Sequence, residues 1–308
     1  AAFVQAFFEL DVAPHKVSKL SGIGCSSKTP AYFLREAHGV NSVHGRMPAL
    51  ATGANGANAS QYYVGVSGDG DSLSIGLGHF CHAIRRNLNM LYVIENNGVY
   101  GLTKGQFSAS ADVGSAAKKG EVNLHQPIDP VILALSLGCT FVARSFSGDK
   151  NQLVPIIKAG LQHRGFAMID VISPCVTFND HETSTKSYAA TRENMHEVVF
   201  TDFVPHAEVI EADQRLADVT PVTLHDGSRI LLKETDPSYD PTDRINAIDY
   251  LMTHQAKQQV VTGLLYVNEN QGDMHDTLGV TGTPLVDVEY GRLSPGSEAL
   301  AKLQNRYC

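Results

Sequence analysis

The chain has 308 residues, with 24 Lys and Arg against 32 Asp and Glu, a formal net charge of −8. That balance argues against a nucleic-acid partner, because phosphate binding needs clustered Lys and Arg. No apolar run of about 18 residues is present, so nothing in the sequence reads as a membrane span. Hydrophobic residues at 43% and charged residues at 18% are an ordinary globular balance, long enough for one large core or two domains. The five cysteines, an odd number at wide spacing, do not form a secreted disulfide framework and point to a reducing cytoplasm. Cys81 and Cys139 read as small buried residues, and Cys308 is terminal.

Taken in order, residues 1–10 are helical in character, with no initiator Met and no visible signal peptide. Residues 17–24 run from a strand into a glycine turn. The segment 38–46, HGVNSVHGR, is followed by an Ala/Gly-rich stretch, 47–59, that reads as a closely packed helix and turn. Residues 62–67, YYVGVS, are a buried strand. Gly68-Asp69-Gly70-Asp71 follows, then an amphipathic run with Ile75, Leu77, Phe80 and Ile84 on one helical side. The strand Leu91-Tyr92-Val93-Ile94 ends in Glu95-Asn96-Asn97-Gly98. Residues 107–126, which include Lys118, Lys119 and Glu121, read as a mobile surface loop, a lid or a partner contact. Asp129-Pro130 has the order of an N-cap and a first helical residue. A strand at 138–143, a helix at 152–160 and a strand at 166–172 complete an alternating pattern, which predicts a mainly parallel α/β sheet flanked by helices.

The final third differs. Residues 180–192 are polar. Residues 221–232 read as a hairpin turning at Asp226-Gly227. Asp240-Pro241 opens a helix through Ile245, Ile248, Leu251 and Met252, and 260–267 is a strand. His254 and His275 have no metal-ligand spacing and read as surface. The division expected is 1–180 for the ligand-binding domain and 181–308 for a C-terminal α/β extension used in packing and subunit contact.

The chemistry concentrates in residues 68–105. Strand, helix, strand places polar residues at the carboxyl ends of two parallel strands, the edge where open sheets bind ligands. Asp69 lies between two glycines, so backbone can approach a bulky anion there, and the helix that follows aims unpaired N–H groups and a positive dipole end at the same place. A carboxylate beside a diphosphate needs a cation between them, and Mg²⁺, with its octahedral oxygen set, fits. Asn97 adds a neutral side-chain oxygen and the Val99 carbonyl another. GDG by itself reads equally well as an empty turn; GDG followed by helix, strand and NN does not.

Gly68-Asp69-Gly70 through Asn96-Asn97 resembles the thiamine diphosphate motif. Val99-Tyr100-Gly101-Leu102-Thr103-Lys104-Gly105-Gln106 narrows the resemblance to the β subunit of 2-oxoacid:ferredoxin oxidoreductases. Ser21-Gly22-Ile23-Gly24-Cys25-Ser26-Ser27-Lys28, His44-Gly45-Arg46 and Ser173-Pro174-Cys175-Val176-Thr177-Phe178-Asn179 resemble that family too. The match is convincing over roughly the first 180 residues and loose beyond them.

The resemblance implies a reaction and a set of roles. A 2-oxoacid, 2-oxoglutarate favoured over pyruvate, is oxidatively decarboxylated to an acyl-CoA, and electrons pass through a [4Fe–4S] cluster to ferredoxin. Gly68, Asp69, Gly70, Asp71, Asn97, Val99, Gly101, Leu102 and Thr103 are expected around the cofactor, together with the loop Gly24, Cys25, Ser26 and Ser27. His44 and Arg46 are expected to face the diphosphate or the substrate. His44 reads equally well as a turn histidine bonded to backbone. Lys104 is expected to pair with the substrate carboxylate or a coenzyme A phosphate, against the plain reading of an exposed loop lysine. Cys25 and Cys175 match two cluster ligands. The family's other two lie in a CPGCG segment ahead of the first helix, which is absent here, and two thiolates do not hold such a cluster. The glutamate that activates the cofactor's aminopyrimidine comes from the α subunit, so an obligate α partner in an αβ or (αβ)₂ assembly is expected.

Two other readings stand beside this one. A thiamine diphosphate decarboxylase or ligase without electron transfer would keep GDG…NN and need neither cysteine. A non-catalytic subunit would retain the fold and bind no cofactor. A nicotinamide dehydrogenase is disfavoured, because no GxGxxG lies at a strand-to-helix turn with an acid at the next strand end.

Overall fold

The computed structural model describes residues 1–117, 119–208, 219–236 and 238–307. Lys118 and Cys308, noted in the sequence, lie outside them. The chain opens with helix α1 (Ala2–Glu9), strands β1 (Val17–Ser21) and β2 (His38–Asn41), and helix α2 (Met47–Ala57). Strand β3 (Tyr62–Gly68), a π-helical turn (Gly70–Ile75), helix α3 (Leu77–Arg85) and strand β4 (Met90–Asn96) form the unit expected from the motif. A small hairpin, β5 (Val99–Tyr100) and β6 (Gln106–Phe107), leads to α4 (Pro130–Ser136), β7 (Phe141–Phe146), α5 (Lys150–Gln162) and β8 (Phe166–Ile172). Helix α6 (Tyr188–Asn194), strands β9 (Met195–Val204), β10 (Thr220–Thr223) and β11 (Arg229–Glu234), helix α7 (Arg244–Ala256) and strand β12 (Val260–Val267) follow. Three short helices end the chain: α8 (Met274–Leu278), α9 (Tyr290–Leu293) and α10 (Gly296–Gln304).

The strands build one sheet of ten in the order β10-β11-β9-β12-β7-β8-β4-β3-β1-β2. From β2 to β7 every pairing is parallel. The central strands are buried along their length, apart from the half-buried Glu95 of β4, and rich in β-branched and aromatic residues, as strands covered on both faces must be. Phe80 of α3 packs against Tyr92 of β4 and Phe166 of β8, with ring centroids 5.3 and 6.0 Å away, so the helix after GDG is seated on the sheet by aromatic contact.

β1 has β2 on one flank and β3, the next strand in the chain, on the other. The chain therefore reverses its direction of growth between β1 and β3, which opens a crevice at their carboxyl ends. The loops after β1, β3, β4 and β8 carry Gly24–Ser26, Asp69, Asn97 and Cys175 to that edge.

The extension expected at 181–308 is α/β, and it continues the same sheet. β12 pairs antiparallel with β7 and parallel with β9, and core residues of both parts form one cluster. Asp129 caps α4 through Val131 N–H at 2.8 Å and Ile132 N–H at 3.2 Å, as expected. The hairpin β10–β11 turns through Gly227 at φ 84°. The helix expected from Asp240-Pro241 begins later, at Arg244, because Asp243 is the residue that caps it.

Two expectations are corrected. Ile75 is not on the buried side of the helix: it is 44% exposed, while Leu73, Phe80 and Ile84 are buried. The π turn, closed by Gly76 N–H on the Asp71 carbonyl at 2.8 Å, holds an extra residue and rotates the apolar face away from Ile75. Residues 107–126 are not simply a surface loop, because Ser108, Ser110, Ser115 and Asn123 are buried. Among the described residues, no helix is long and apolar enough to cross a membrane.

Candidate functional site

At the crevice between β1 and β3 lies a cavity of 110 Å³. Its lining brings together Gly24, Cys25 and Ser26 from the loop after β1, His44 from the loop after β2, and Gly68 to Asp71 from the end of β3. Asn97, Val99 and the turn Gly101, Leu102 and Thr103 close the other side. Larger cavities of 400 and 610 Å³ lie elsewhere, but neither collects the glycines, carboxylates and amide of the motif.

Asp69 is 1% exposed. Its Oδ2 accepts from Gly98 N–H at 3.1 Å, Ser110 Oγ at 2.6 Å and the Ser108 hydroxyl. Its Oδ1 has only the long contact to Asn97 N–H at 3.4 Å. One carboxylate oxygen is thus saturated and the other remains available. Among the described residues no Lys, Arg or His pairs with Asp69, so a buried carboxylate at the cavity wall lacks a counter-charge. Asn97 is held in place by its own Oδ1 accepting from Val99 N–H at 3.1 Å, and its carbonyl accepts from Asn179 Nδ2 at 2.7 Å. A carboxylate oxygen, an amide oxygen and a backbone carbonyl make a hard-oxygen set, the donor type that Mg²⁺ selects. Among the described residues there is no cluster of three or more His, Cys, Asp or Glu that would suit a different metal.

The anion side of the cavity is equally prepared. Gly24 has φ 129°, which an L side chain rarely adopts, and space is open where its Cβ would stand. Ser26 is 5% exposed, and its Oγ has no hydrogen-bond partner. A buried hydroxyl left unpaired at a cavity wall fits a ligand oxygen. These residues therefore fit a magnesium diphosphate group.

Asp71, expected among the cofactor contacts, lines the cavity and also ties two loops to the end of β3. Its carboxylate accepts from Ile23 N–H at 3.3 Å, Gly45 N–H at 2.7 Å, Ser67 Oγ at 2.6 Å and His44 Nδ1. His44 is thereby oriented, with Nδ1–H on Asp71. Arg46 and Ser27 do not line the cavity. Arg46 is exposed, with Nη1 on the carbonyls of Gly45 and Ile75, and Ser27 Oγ donates to the Gly24 carbonyl at 2.6 Å. Lys104 is exposed at φ 79° in the turn of the β5–β6 hairpin, one residue beyond the lining.

Cys25 and Cys175 converge. A Cβ on Gly101 would stand 3.5 Å from the sulfur of Cys25 and 3.4 Å from that of Cys175. Gly101 is the residue that lets both thiols approach the cavity rim. Cys139 is far from this pair in role and place: it is fully buried, donates to the carbonyls of Phe141 and Phe166, and burial pushes its thiol up to about 12.

Several site residues were invisible to motif reading. Ser108 and Ser110, in the turn that follows β6 and is closed by Ala111 N–H on the Ser108 carbonyl at 3.2 Å, hold Asp69. Tyr100 donates to the Gly70 carbonyl at 3.0 Å. Glu95 accepts from Thr29 Oγ1 at 2.6 Å, fixing the Cys25 loop to β4, and burial raises its carboxyl above the ordinary range. Asn179 was quoted within a motif, but its bond to Asn97 needs a contact across 82 residues.

Fold and cavity together define an α/β protein of the thiamine diphosphate class. Residues 22–171 match the thiamine pyrophosphate enzyme family's C-terminal TPP binding domain. A 2-oxoacid:ferredoxin oxidoreductase subunit beta from Sulfolobus sp. is 37% identical over 267 residues, covering 83% of this chain and 85% of that protein. One from Saccharolobus solfataricus is 47% identical over 180 residues, 58% of this chain and 59% of that protein. A solved structure of 2-oxoglutarate:ferredoxin oxidoreductase from Magnetococcus marinus, with 2-oxoglutarate, coenzyme A and succinyl-CoA bound, superposes with a TM-score of 0.71 at 26% identity, covering 95% of this chain and 86% of that one. The chain belongs to the family of 2-oxoacid:ferredoxin oxidoreductase β subunits.

Proposed function

We propose that this chain is the diphosphate-binding β subunit of an enzyme that oxidatively decarboxylates a 2-oxoacid to an acyl-CoA and reduces ferredoxin, with 2-oxoglutarate as the preferred acid. The observation that carries this reading is the 110 Å³ cavity in which a buried carboxylate without a counter-charge, an amide oxygen and an unpaired buried serine hydroxyl converge. Asp69 Oδ1, Asn97 Oδ1 and the Val99 carbonyl would hold Mg²⁺. Gly24, Ser26 and Gly68 would leave room for the diphosphate, and Ser26 Oγ would donate to it. When bound, thiamine diphosphate supplies the electron sink for loss of CO₂.

The chain's own residues then position and protect. His44, held at Nδ1 by Asp71, presents Nε2 for a hydrogen bond to phosphate or substrate. Lys104 would meet the substrate carboxylate or a coenzyme A phosphate from the rim. A cavity of 110 Å³ is well below the ~300–1,000 Å³ of complete ligand sites, so enclosure of the cofactor needs a second subunit. The name of the relatives, subunit beta, supports an α partner, here proposed as obligate, with ferredoxin as electron acceptor.

Cys25 and Cys175 are proposed as two thiolates of a [4Fe–4S] site. By themselves they do not fit a four-thiolate cluster, which needs two further ligands besides this pair. The test is an anaerobic visible spectrum of the co-purified α and β chains before and after 2-oxoglutarate and coenzyme A. A brown absorbance that bleaches on addition supports the reading, and bleaching by pyruvate alone changes only the substrate. A colourless complex that still releases CO₂ would replace it with a thiamine decarboxylase. A colourless, inert complex that binds no thiamine diphosphate would overturn it.

A further inference from the structure

Behind Asp69 runs a buried chain of polar side chains that the cofactor reading does not use. Ser110 Oγ lies 2.6 Å from Asp69 Oδ2 and 2.9 Å from Asn96 Oδ1. Asn96 Nδ2 donates to Asp170 Oδ1 at 3.0 Å. Asp170 Oδ2 accepts from Arg144 Nε at 2.8 Å, and Arg144 Nη2 donates to Asp129 Oδ1 at 2.6 Å. Ser110, Asn96 and Asp170 are 2, 3 and 1% exposed.

Donor counting shows what this chain does. A serine hydroxyl has one proton, and here its two nearest acceptors are Asp69 Oδ2 and Asn96 Oδ1, with Ser108 Oγ farther off at 3.2 Å. Asn96 presents its oxygen to Ser110 only because its nitrogen is claimed by the carboxylate of residue 170. Were residue 170 a donor on that side, Asn96 would turn over and its nitrogen would donate to Ser110. The serine proton would then belong to Asp69 alone. We propose that Asp170, acting through Asn96 and Ser110, is a positioning residue that limits the hydrogen bonds received by the Asp69 carboxylate and so keeps charge on it for a divalent cation. Asp69 is already oriented by Gly98, Ser108 and Asn97, so an undivided Ser110 bond adds no order and only withdraws charge. This inference rests on the reading of Asp69 as a cation ligand.

Asp170→Asn is the discriminating variant. Arg144 Nε–H requires an oxygen opposite it, so the new amide must turn its NH₂ toward Asn96, and Asp129 still balances Arg144. The measurement is calorimetric titration of Mg²⁺ into the αβ complex, stripped with chelator and supplied with thiamine diphosphate. D170N is expected to raise the Mg²⁺ Kd about tenfold, the lower end of what an outer-shell change costs a metal site. In the Ser110→Ala background the same substitution should change nothing, since the relay is cut. Asn96→Ala, which also leaves the serine proton to Asp69, should weaken Mg²⁺ in the same way and also only when Ser110 is present; it serves if D170N does not fold. A Kd unchanged or tighter in these variants, or a loss that persists in the Ser110→Ala background, overturns the inference while leaving the site reading intact. A wild-type complex that takes up no Mg²⁺ overturns both.

Discussion

Asp69 is a buried anion with one saturated oxygen and one available oxygen, and its neighbours explain why. Lys104 shows the opposite arrangement: exposed, yet held at φ 79°, where an L residue costs about 1–2 kcal/mol. Strain of this kind persists where a side chain is needed for function. Lys104→Gly is therefore expected to leave stability unchanged or raise it by up to about 1 kcal/mol. The same change should raise KM for the 2-oxoacid or coenzyme A about tenfold, equivalent to ~1.4 kcal/mol. Urea unfolding and steady-state kinetics on one preparation check both, and an unchanged KM for both substrates would remove Lys104 from the site. Glu95 gives a pH prediction. Burial raises its folded pKa above 4.5, so between the ordinary and the raised value the folded state binds more protons than the unfolded one. Stability is then lost as pH rises through that range. Glu95→Gln keeps an acceptor for Thr29 without the charge, so its stability advantage over the natural chain should grow with pH in denaturant melts. A gap that shrinks with rising pH would contradict the assignment.

At the level of elements, the π turn after β3 and the two loops tied by Asp71 form one unit. A Cβ on Gly22 would stand 1.9 Å from Asp71 Oδ2, and that atom belongs to a carboxylate fixed by four donors. Gly22→Ala should cost about 1–3 kcal/mol and loosen the Cys25 loop, read as a lower melting temperature together with weaker cofactor binding. An unchanged melting temperature would mean that Asp71 is free to move. This unit also shows what a sequence carries and what it does not. GDG, NN and the alternation of strands with helices are local patterns, so β3, β4, β8 and β12 and most of the cavity lining, though not Tyr100, were legible. The exposure of Ile75 was not, because a π turn leaves no local signal and shifts the helical face by about one residue. Asp71 was legible as a cavity residue because it sits in the motif, but its ties to residues 23 and 44–45 were not, since only the strand order brings them to it. The serines at 108 and 110 lay in a segment that reads as surface, because nothing in a polar stretch tells which hydroxyls meet a buried carboxylate.

On the scale of the whole molecule, the sheet order places the crevice, and the crevice determines what each loop can do. The loops after β1 and β3 meet at the carboxyl ends of those strands, the loop after β4 adds Asn97, and the loop after β8 brings Cys175 to Gly101, beside which Cys25 also lies. The C-terminal third extends the sheet beyond β7 and shares its core. The cavity is partial, in keeping with the proposal that this chain supplies one half of a site in which Asp69 holds the cation that anchors thiamine diphosphate. The direct test is equilibrium binding of thiamine diphosphate to the αβ complex, with and without Mg²⁺, for the natural chain and for Asp69→Asn. The account predicts Mg²⁺-dependent binding to the natural complex and a loss of about 100-fold or more in the variant. Equal binding by both would contradict it.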